Sequence, residues 1–342
     1  MSKGIFDQTV LGGIPLKNRL IRSATWENLV DGNGVFDDTL IPLYAELAKG
    51  GIGLIITGFT TVSDADDYFG GMMRLGNDAM IPQFRELVQA VHAFDCPVMP
   101  QLALGCYRTR GVDGILRRLE MPEMEHEDIA DIVDLFVQAA RRAKKAGFDG
   151  AQIHAAHGFF LSRSLSPLHN TRLDCYGGSL KNRARLLMEV VDAVREEVGS
   201  EFHLSMKINC EDFQMGGLSA PDSRTVCLLA VEHGLDSIEV SGGGASRSGV
   251  RAGVNEGYFL SYAVELQSMV DVPVITVGGY RSVECITRVL NEMPLSYVSL
   301  SRPLIKEPGL PNRWKAGDRA PSTCISCNAC YETPGHHCIF AR

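Results

Sequence analysis

Eight short apolar runs, each followed by a turn signal and then an amphipathic stretch, constrain this chain more than any other feature. They read NRLIRSA (18–24), GLIITG (53–58), VMPQLAL (98–104), AQIHAA (151–156), HLSMKIN (203–209), SIEVSGG (237–243), PVITVGG (273–279) and YVSLSR (297–302). Near-continuous apolarity suits strands buried on both faces. Between them, IPQFRELVQAVHAF (81–94) places Phe84, Leu87, Val88 and Val91 at helical spacing. IADIVDLFVQAARRAKKAG (129–147) ends on basic residues and Gly147, as a helix C-terminus does, and NRARLLMEVVDAVREEVG (182–199) behaves likewise. Eight β-then-α units over about 280 residues predict an α/β fold, a closed (β/α)₈ TIM barrel. The alternative, an open doubly wound sheet, calls for a G-x-G-x-x-G turn after the first strand. The sequence there, RSATWENLVDGNG, has none. The barrel is expected over residues 1–310, closing near Arg302, with 311–342 as a short Cys-rich tail and candidate metal-cluster segment. The longest βα connection, 105–128, reads as a lid or small subdomain.

The 45% hydrophobic content supplies a core for 342 residues. A formal net charge of −8 disfavours nucleic acid or an anionic membrane as partner. The N-terminal MSKGIFDQTV lacks the apolar segment of a secretory signal, and no apolar run reaches the roughly 18 residues of a membrane span. Ten cysteines in that setting point to a reducing cytoplasm, where clustered thiols bind metal more often than they pair.

In this fold, reactive groups come from the C-terminal ends of strands and the loops that follow. His154 and His157 lie three apart across the end of the fourth run, so both can face the barrel mouth. They read as hydrogen-bonded loop histidines or as ligand contacts, with a metal pair as a further alternative. Gly278 and Gly279 in VGGYR let backbone N–H groups approach an anion, and Arg302 in SRP offers a bidentate charge for phosphate. Tight turns that merely close the barrel are the plain alternative. Ser241 and Gly242–Gly244 add small residues at the same rim. Lys207, inside SMKIN, requires an anionic partner or a depressed pKa. Gln101, inside PQLAL, requires hydrogen bonds and suits the edge of a pyrimidine-like ring, on which a lysine would stabilise developing negative charge. The mouth therefore suits a phosphorylated, flat, electron-accepting ligand, a description that flavin mononucleotide (FMN) fits.

The stretch HAAHGFFLSRSLSPLHNTRLDCYGGSLKNRARLL, with LKNRLIRSATW (16–26) and GGIGLIITG (50–58), resembles the old yellow enzyme family of FMN-dependent oxidoreductases over residues 5–310. That resemblance implies the same barrel, with NADH or NADPH as reductant and an α,β-unsaturated carbonyl compound as small-molecule substrate. It implies Gln101 at the flavin pyrimidine edge and Lys207 near N1/O2, where the family usually has arginine. His154 and His157 would hold the substrate oxygen. Gly279 and Arg302 would bind the phosphate with Gly278, Ser301 and Gly243 nearby, Ala24, Thr25 and Trp26 would meet the ring system, and Gly58 would also belong to the cofactor site. One departure is chemical: the family's proton-donating tyrosine after the histidine pair is Phe159 here, leaving Tyr68, Tyr107, Tyr176 or water to protonate. Phe159 reads equally as an apolar wall. A second reading is therefore oxidative, dehydrogenation or demethylation of a small amine. A third is an electron-relay subunit of a larger complex. A homo-oligomer is compatible with the family.

The last feature is the tail. Cys324, Cys327 and Cys330 have C-x₂-C-x₂-C spacing, and Cys338 follows after seven residues. In the branch resembling 2,4-dienoyl-CoA reductase and trimethylamine dehydrogenase, such a segment binds a [4Fe-4S] cluster, with a longer final loop and further nucleotide-binding domains. Here the four thiols can hold that cluster, which would call for an external electron partner. They can also hold zinc, with His336 or His337 as alternative ligands, or form a degenerate tail without metal.

Overall fold

Each of the eight apolar runs forms a parallel strand in the computed structural model, which describes every residue except Met1, Val112, Ala245 and Arg342. The barrel strands are Leu20–Arg22, Leu54–Thr61, Val98–Ala103, Gly150–Ala155, His203–Asn209, Ser237–Ser241, Val274–Thr276 and Tyr297–Leu300. They pair in chain order, and the eighth returns to the first through Val298 opposite Leu20, so the sheet closes. Closure leaves no barrel strand with unpaired backbone groups along an edge. A two-residue strand, Met73–Arg74, lies beside the C-terminal end of the second.

Three strands are not the uniformly apolar runs that the sequence suggested. In strands four, five and six every second residue is polar: Gln152 and His154, then Ser205, Lys207 and Asn209, then Ser237, Glu239 and Ser241. Their apolar neighbours Ile153, Leu204, Met206, Ile208, Ile238 and Val240 belong to the core shared with the helices. Side chains alternate across a strand, so the polar set projects together into the barrel.

The opposite end of the barrel is plugged by an antiparallel hairpin, Thr9–Leu11 with Ile14–Leu16. Its Leu11, Ile14 and Leu16 form one apolar cluster with Ile21, Leu54, Ile56, Met99, Ile275 and Tyr297. Around the outside, the helix His126–Ala146 shows how sequence sets these layers. Ile129, Ile132 and Phe136, then Ala139, Ala140 and Ala143, are its buried stripe. Glu125 and Asp128 form a capping box, and Gly147 ends the helix at φ +96, a left-handed conformation that glycine adopts without strain.

The 105–128 connection is a hairpin, Tyr107–Arg110 with Leu116–Leu119, followed by a single 3₁₀ turn. Its root is held by the Asp66 carboxylate, which accepts from the Gly105 and Cys106 amides at 2.7 and 3.2 Å. Beyond strand eight, helices Arg302–Lys306 and Leu310–Lys315 lead the chain back against the barrel. Asn312 N donates to Gly50 O at 3.1 Å, and Trp314 is buried with its Nε1 donating to Ala320 O at 3.0 Å. Residues 323–340 then cross the barrel mouth. Among the described residues no helix is long and apolar enough to cross a membrane.

Trp314→Ala removes a buried aromatic side chain and its hydrogen bond, and is expected to cost about 3–5 kcal/mol of folding stability. A urea unfolding curve of the full chain reads this as a lowered midpoint.

Candidate active site

A cavity of about 430 Å³ opens at the C-terminal ends of the strands. Of the residues that the sequence singled out, Ala24, Thr25, Trp26, Gln101, His154, His157, Lys207, Gly279, Ser301 and Arg302 all line it. Elements far apart in the chain meet there because closure of the barrel brings all eight strand ends to one rim.

The floor of the cavity is a buried polar network. Lys207 Nζ lies 3.1 Å from Glu239 Oε2 and donates to Ser23 Oγ at 2.7 Å. Glu239 Oε1 accepts from Ser299 Oγ at 2.7 Å, and Oε2 from Gln152 Nε2 at 3.0 Å. Gln152 Oε1 in turn accepts from Gln101 Nε2 at 2.8 Å. Burial alone would push the Glu239 carboxyl up. The Lys207 charge and the donated hydrogen bonds outweigh it and hold the group below its ordinary value. Glu239, Gln152, Ser23 and Ser299 were not singled out in the sequence. The alternation in SIEVS and AQIHA was the available signal.

At the rim, His154 is buried and its Nδ1 has no hydrogen-bond partner. A buried ring nitrogen left unmatched costs about 1–3 kcal/mol, so it is a natural contact for a bound polar atom. His157 is half-buried, with φ +63, unusual for a residue other than glycine. Two bonds hold it there: its amide donates to Asn209 Oδ1 at 3.0 Å, and its Nε2 pairs with Ser241 Oγ at 2.7 Å. The two rings sit edge to face, 5.1 Å between centroids. Burial, then His157 and Lys207, hold the His154 imidazole well below its ordinary pKa. Burial and Lys207 push His157 down to about 3, against the attraction of Glu239. Both rings are therefore neutral at pH 7 and present hydrogen bonds rather than charge.

One wall is aromatic. Phe159 packs against Phe59 at 4.8 Å, His154 at 5.0 Å and Tyr68 at 5.5 Å between centroids. Of the three tyrosines considered as proton donors, Tyr68 lines the cavity. Tyr107 instead donates to Asp131 at 2.9 Å, and Tyr176 to Glu189 at 3.0 Å, both away from it.

Three of the expected glycines do not line the cavity. Gly58 lies behind Thr25, whose carbonyl oxygen is 2.3 Å from where a Cβ would stand. Gly243 packs equally close on Asp212 O, and Gly278 is turned to accept the Gly257 and Tyr258 amides through its carbonyl. Gly243 instead lines a separate small cavity beside Gly158, Asn209 and Asp212. Arg281 is the residue missed at this end. It is almost fully buried, lines the cavity and donates to Gly279 O at 2.6 Å and Cys324 O at 3.0 Å.

The cysteine tail is tied to the same rim. Arg302 donates to Asn328 Oδ1 at 2.6 Å, and Arg281 also bonds Ser326 Oγ. His336 Nδ1 contacts Trp26 O at 2.6 Å, its ring edge-on to the indole at 4.6 Å. Cys324, Cys327, Cys330 and Cys338 surround a small cavity of about 20 Å³ with Arg302 and Lys306. Among the described residues, the one trio of ligand-type atoms mutually within 4.8 Å is His126, Asp174 and Cys175 on the surface, where both Asp174 oxygens already accept from Arg172. No three of the tail thiols are that close. Tetrahedral zinc, about 2.3 Å from each sulfur, brings its thiolates to about 3.8 Å of one another. The thiols are thus spread more widely than around a single ion.

The pattern of the NADH:flavin oxidoreductase / NADH oxidase family matches residues 5–320. The chain is 33% identical to a metal reductase of Desulforamulus reducens, over 95% of this chain and 50% of that protein. It is 30% identical to an NADH oxidase of Thermoanaerobacter brockii, over 95% of this chain and 52% of that protein. It thus spans about half the length of these curated relatives. A solved 2-naphthoyl-CoA reductase complex superposes with a TM-score of 0.87 at 23% identity, covering 95% of this chain and 54% of the other, a likeness of fold.

The neutral histidines make a pH signature. Both bind protons in the unfolded chain below about pH 6.5 but resist protonation when folded. Stability is therefore full above that value and falls as pH drops toward the folded values, by at most about 1.4 kcal/mol per pH unit for each ring. Urea unfolding at pH 7 and pH 5 should show the loss, and a His154→Gln/His157→Gln variant should show a shallower dependence.

Proposed function

This chain belongs to the NADH:flavin oxidoreductase / NADH oxidase family, and on that premise we propose that it is an FMN-dependent oxidoreductase in which NAD(P)H reduces the flavin and the reduced flavin reduces the activated C=C of an α,β-unsaturated carbonyl compound. The observation that carries this reading is the neutral histidine pair at the rim, one ring with an unmatched buried nitrogen, above a floor that ends in Gln101 and Lys207. FMN, when bound, supplies a two-electron carrier that takes hydride from NAD(P)H and returns it to the substrate β-carbon.

The chain's own residues do the rest. Gln101 and Lys207 hold the pyrimidine edge. Gly279, Arg281, Ser301 and Arg302 hold the phosphate, and a side chain at position 279 would strike Val250 and Tyr258. Ala24, Thr25 and Trp26 pack on the ring system. His154 and His157 donate hydrogen bonds to the carbonyl oxygen, which draws electron density from the β-carbon where hydride arrives. Phe159 and Phe59 exclude water from the apolar part of the substrate. The α-carbon proton comes from Tyr68 or from solvent, because Phe159 has none to give.

For the tail, a [4Fe-4S] cluster is the favoured occupant over zinc. The thiols are widely spread, and the Arg302 and Lys306 cations beside them offset thiolate charge.

Purified protein is expected to be yellow, to be bleached by NAD(P)H and to be reoxidised by an enone in stopped flow. Reduction by an amine with no response to enones would favour the oxidative reading, and failure to bind FMN would end both. Phe159→Tyr should raise enone turnover at least tenfold by restoring a proton donor. Iron and acid-labile sulfide in an anaerobic preparation would support the cluster; their absence, with no zinc, would remove it.

A further inference from the structure

Lys207 and Gln101 line the cavity, but the residue that connects them does not. Glu239 is 0% exposed and sits behind the lining, bonded directly to Lys207 and Ser299 and to Gln101 through Gln152. An ionised carboxylate only accepts hydrogen bonds. Gln152 must therefore turn its NH₂ toward Glu239, as it does at 3.0 Å, which leaves its carbonyl oxygen facing Gln101. Gln101 must then turn its own NH₂ toward Gln152, as it does at 2.8 Å. The Gln101 carbonyl oxygen is thereby left as a free acceptor. Orientation of the amide at the cavity is thus dictated by a charge two residues away in the hydrogen-bond chain.

The same carboxylate balances charge. Lys207 and Glu239 are opposite each other in the register of strands five and six, 3.1 Å apart, and both are almost fully buried. In such surroundings each charge is felt strongly, and the pair together is neutral. A ligand gaining electrons beside Lys207 meets its positive charge largely offset.

We propose that Glu239 is a positioning residue for the flavin's pyrimidine edge: it orients Gln101 through Gln152, and it offsets Lys207 so that bound flavin is harder to reduce than the lysine alone would make it. This rests on the FMN reading of the cavity. A general structural role for Glu239 would alter stability without a directed change in redox potential.

The test uses the full chain loaded with FMN, with affinity read by flavin fluorescence and two-electron potential by equilibration against a reference dye. Glu239→Gln leaves Lys207 unbalanced and replaces the acceptor-only group that fixes the Gln152 amide with one that can both donate and accept. It should weaken FMN binding at least tenfold. It should also shift the reduction equilibrium at least tenfold toward reduced flavin, about 30 mV upward for this two-electron couple. The Lys207→Gln/Glu239→Gln variant leaves no charge unpaired and covers the case in which the single variant fails to fold. Its potential should stay within that tenfold range of the parent. An unmoved potential in Glu239→Gln, or a fall of more than tenfold in the double variant, would overturn the proposal while leaving the FMN reading standing. A parent protein that binds no FMN would overturn both.

Discussion

A buried lysine–glutamate pair at the centre of a closed barrel is the interaction on which the rest of this site depends. Removing two such charges from water costs several kcal/mol per ion, and mutual attraction alone does not reliably offset it. Here Ser23, Ser299 and Gln152 supply the remaining hydrogen bonds, so neither charge is left unmatched. These partners come from different strands. The pair is sustainable only when the barrel is closed, and an error in register would strand a charge in the core.

The pair also reaches the chemistry at the rim. Lys207 is opposite His154 in the register of strands four and five, and its positive charge is one of the reasons both histidines stay neutral. Neutral imidazoles can donate a hydrogen bond to a carbonyl oxygen without placing a second cation beside Lys207. Donors at the rim, an ordered amide at the floor and an aromatic wall between them match the shape and polarity of a flat ring with a polar tip. At the far end, Arg281 and Arg302 reach both into the cavity and into the cysteine tail. The tail is therefore part of how those two guanidinium groups are held.

Much of this was legible in the residues. Eight strands were located, and the strand His203–Asn209 matched to the residue. Lys207 requires an anion by its place in the sequence, but Glu239 is hidden in SIEVS, which looks like an apolar run although its alternation marks two faces. Arg281 carries no pattern of its own in the sequence, where it follows the Gly278–Gly279 pair by two residues. Gly58, Gly243 and Gly278 are expected at the cavity, the first two from the family resemblance and the third from its glycine pair, and none of them lines it. Which side of a pleat or turn a glycine serves is set by its neighbours, and these three serve a carbonyl or a loop packed behind the wall.

The sequence by itself determined the eight-unit alternation, the strand ends that line the cavity and the residue types gathered there. Periodicity is a local property that each segment carries wherever it is placed. Only the tertiary structure decided that Glu239 answers Lys207, that Gln152 links Glu239 to Gln101, and that the cysteine tail crosses the mouth to meet Trp26 and the two arginines. Those pairings depend on register and closure between segments distant in the chain, and no single segment contains the information that aligns them.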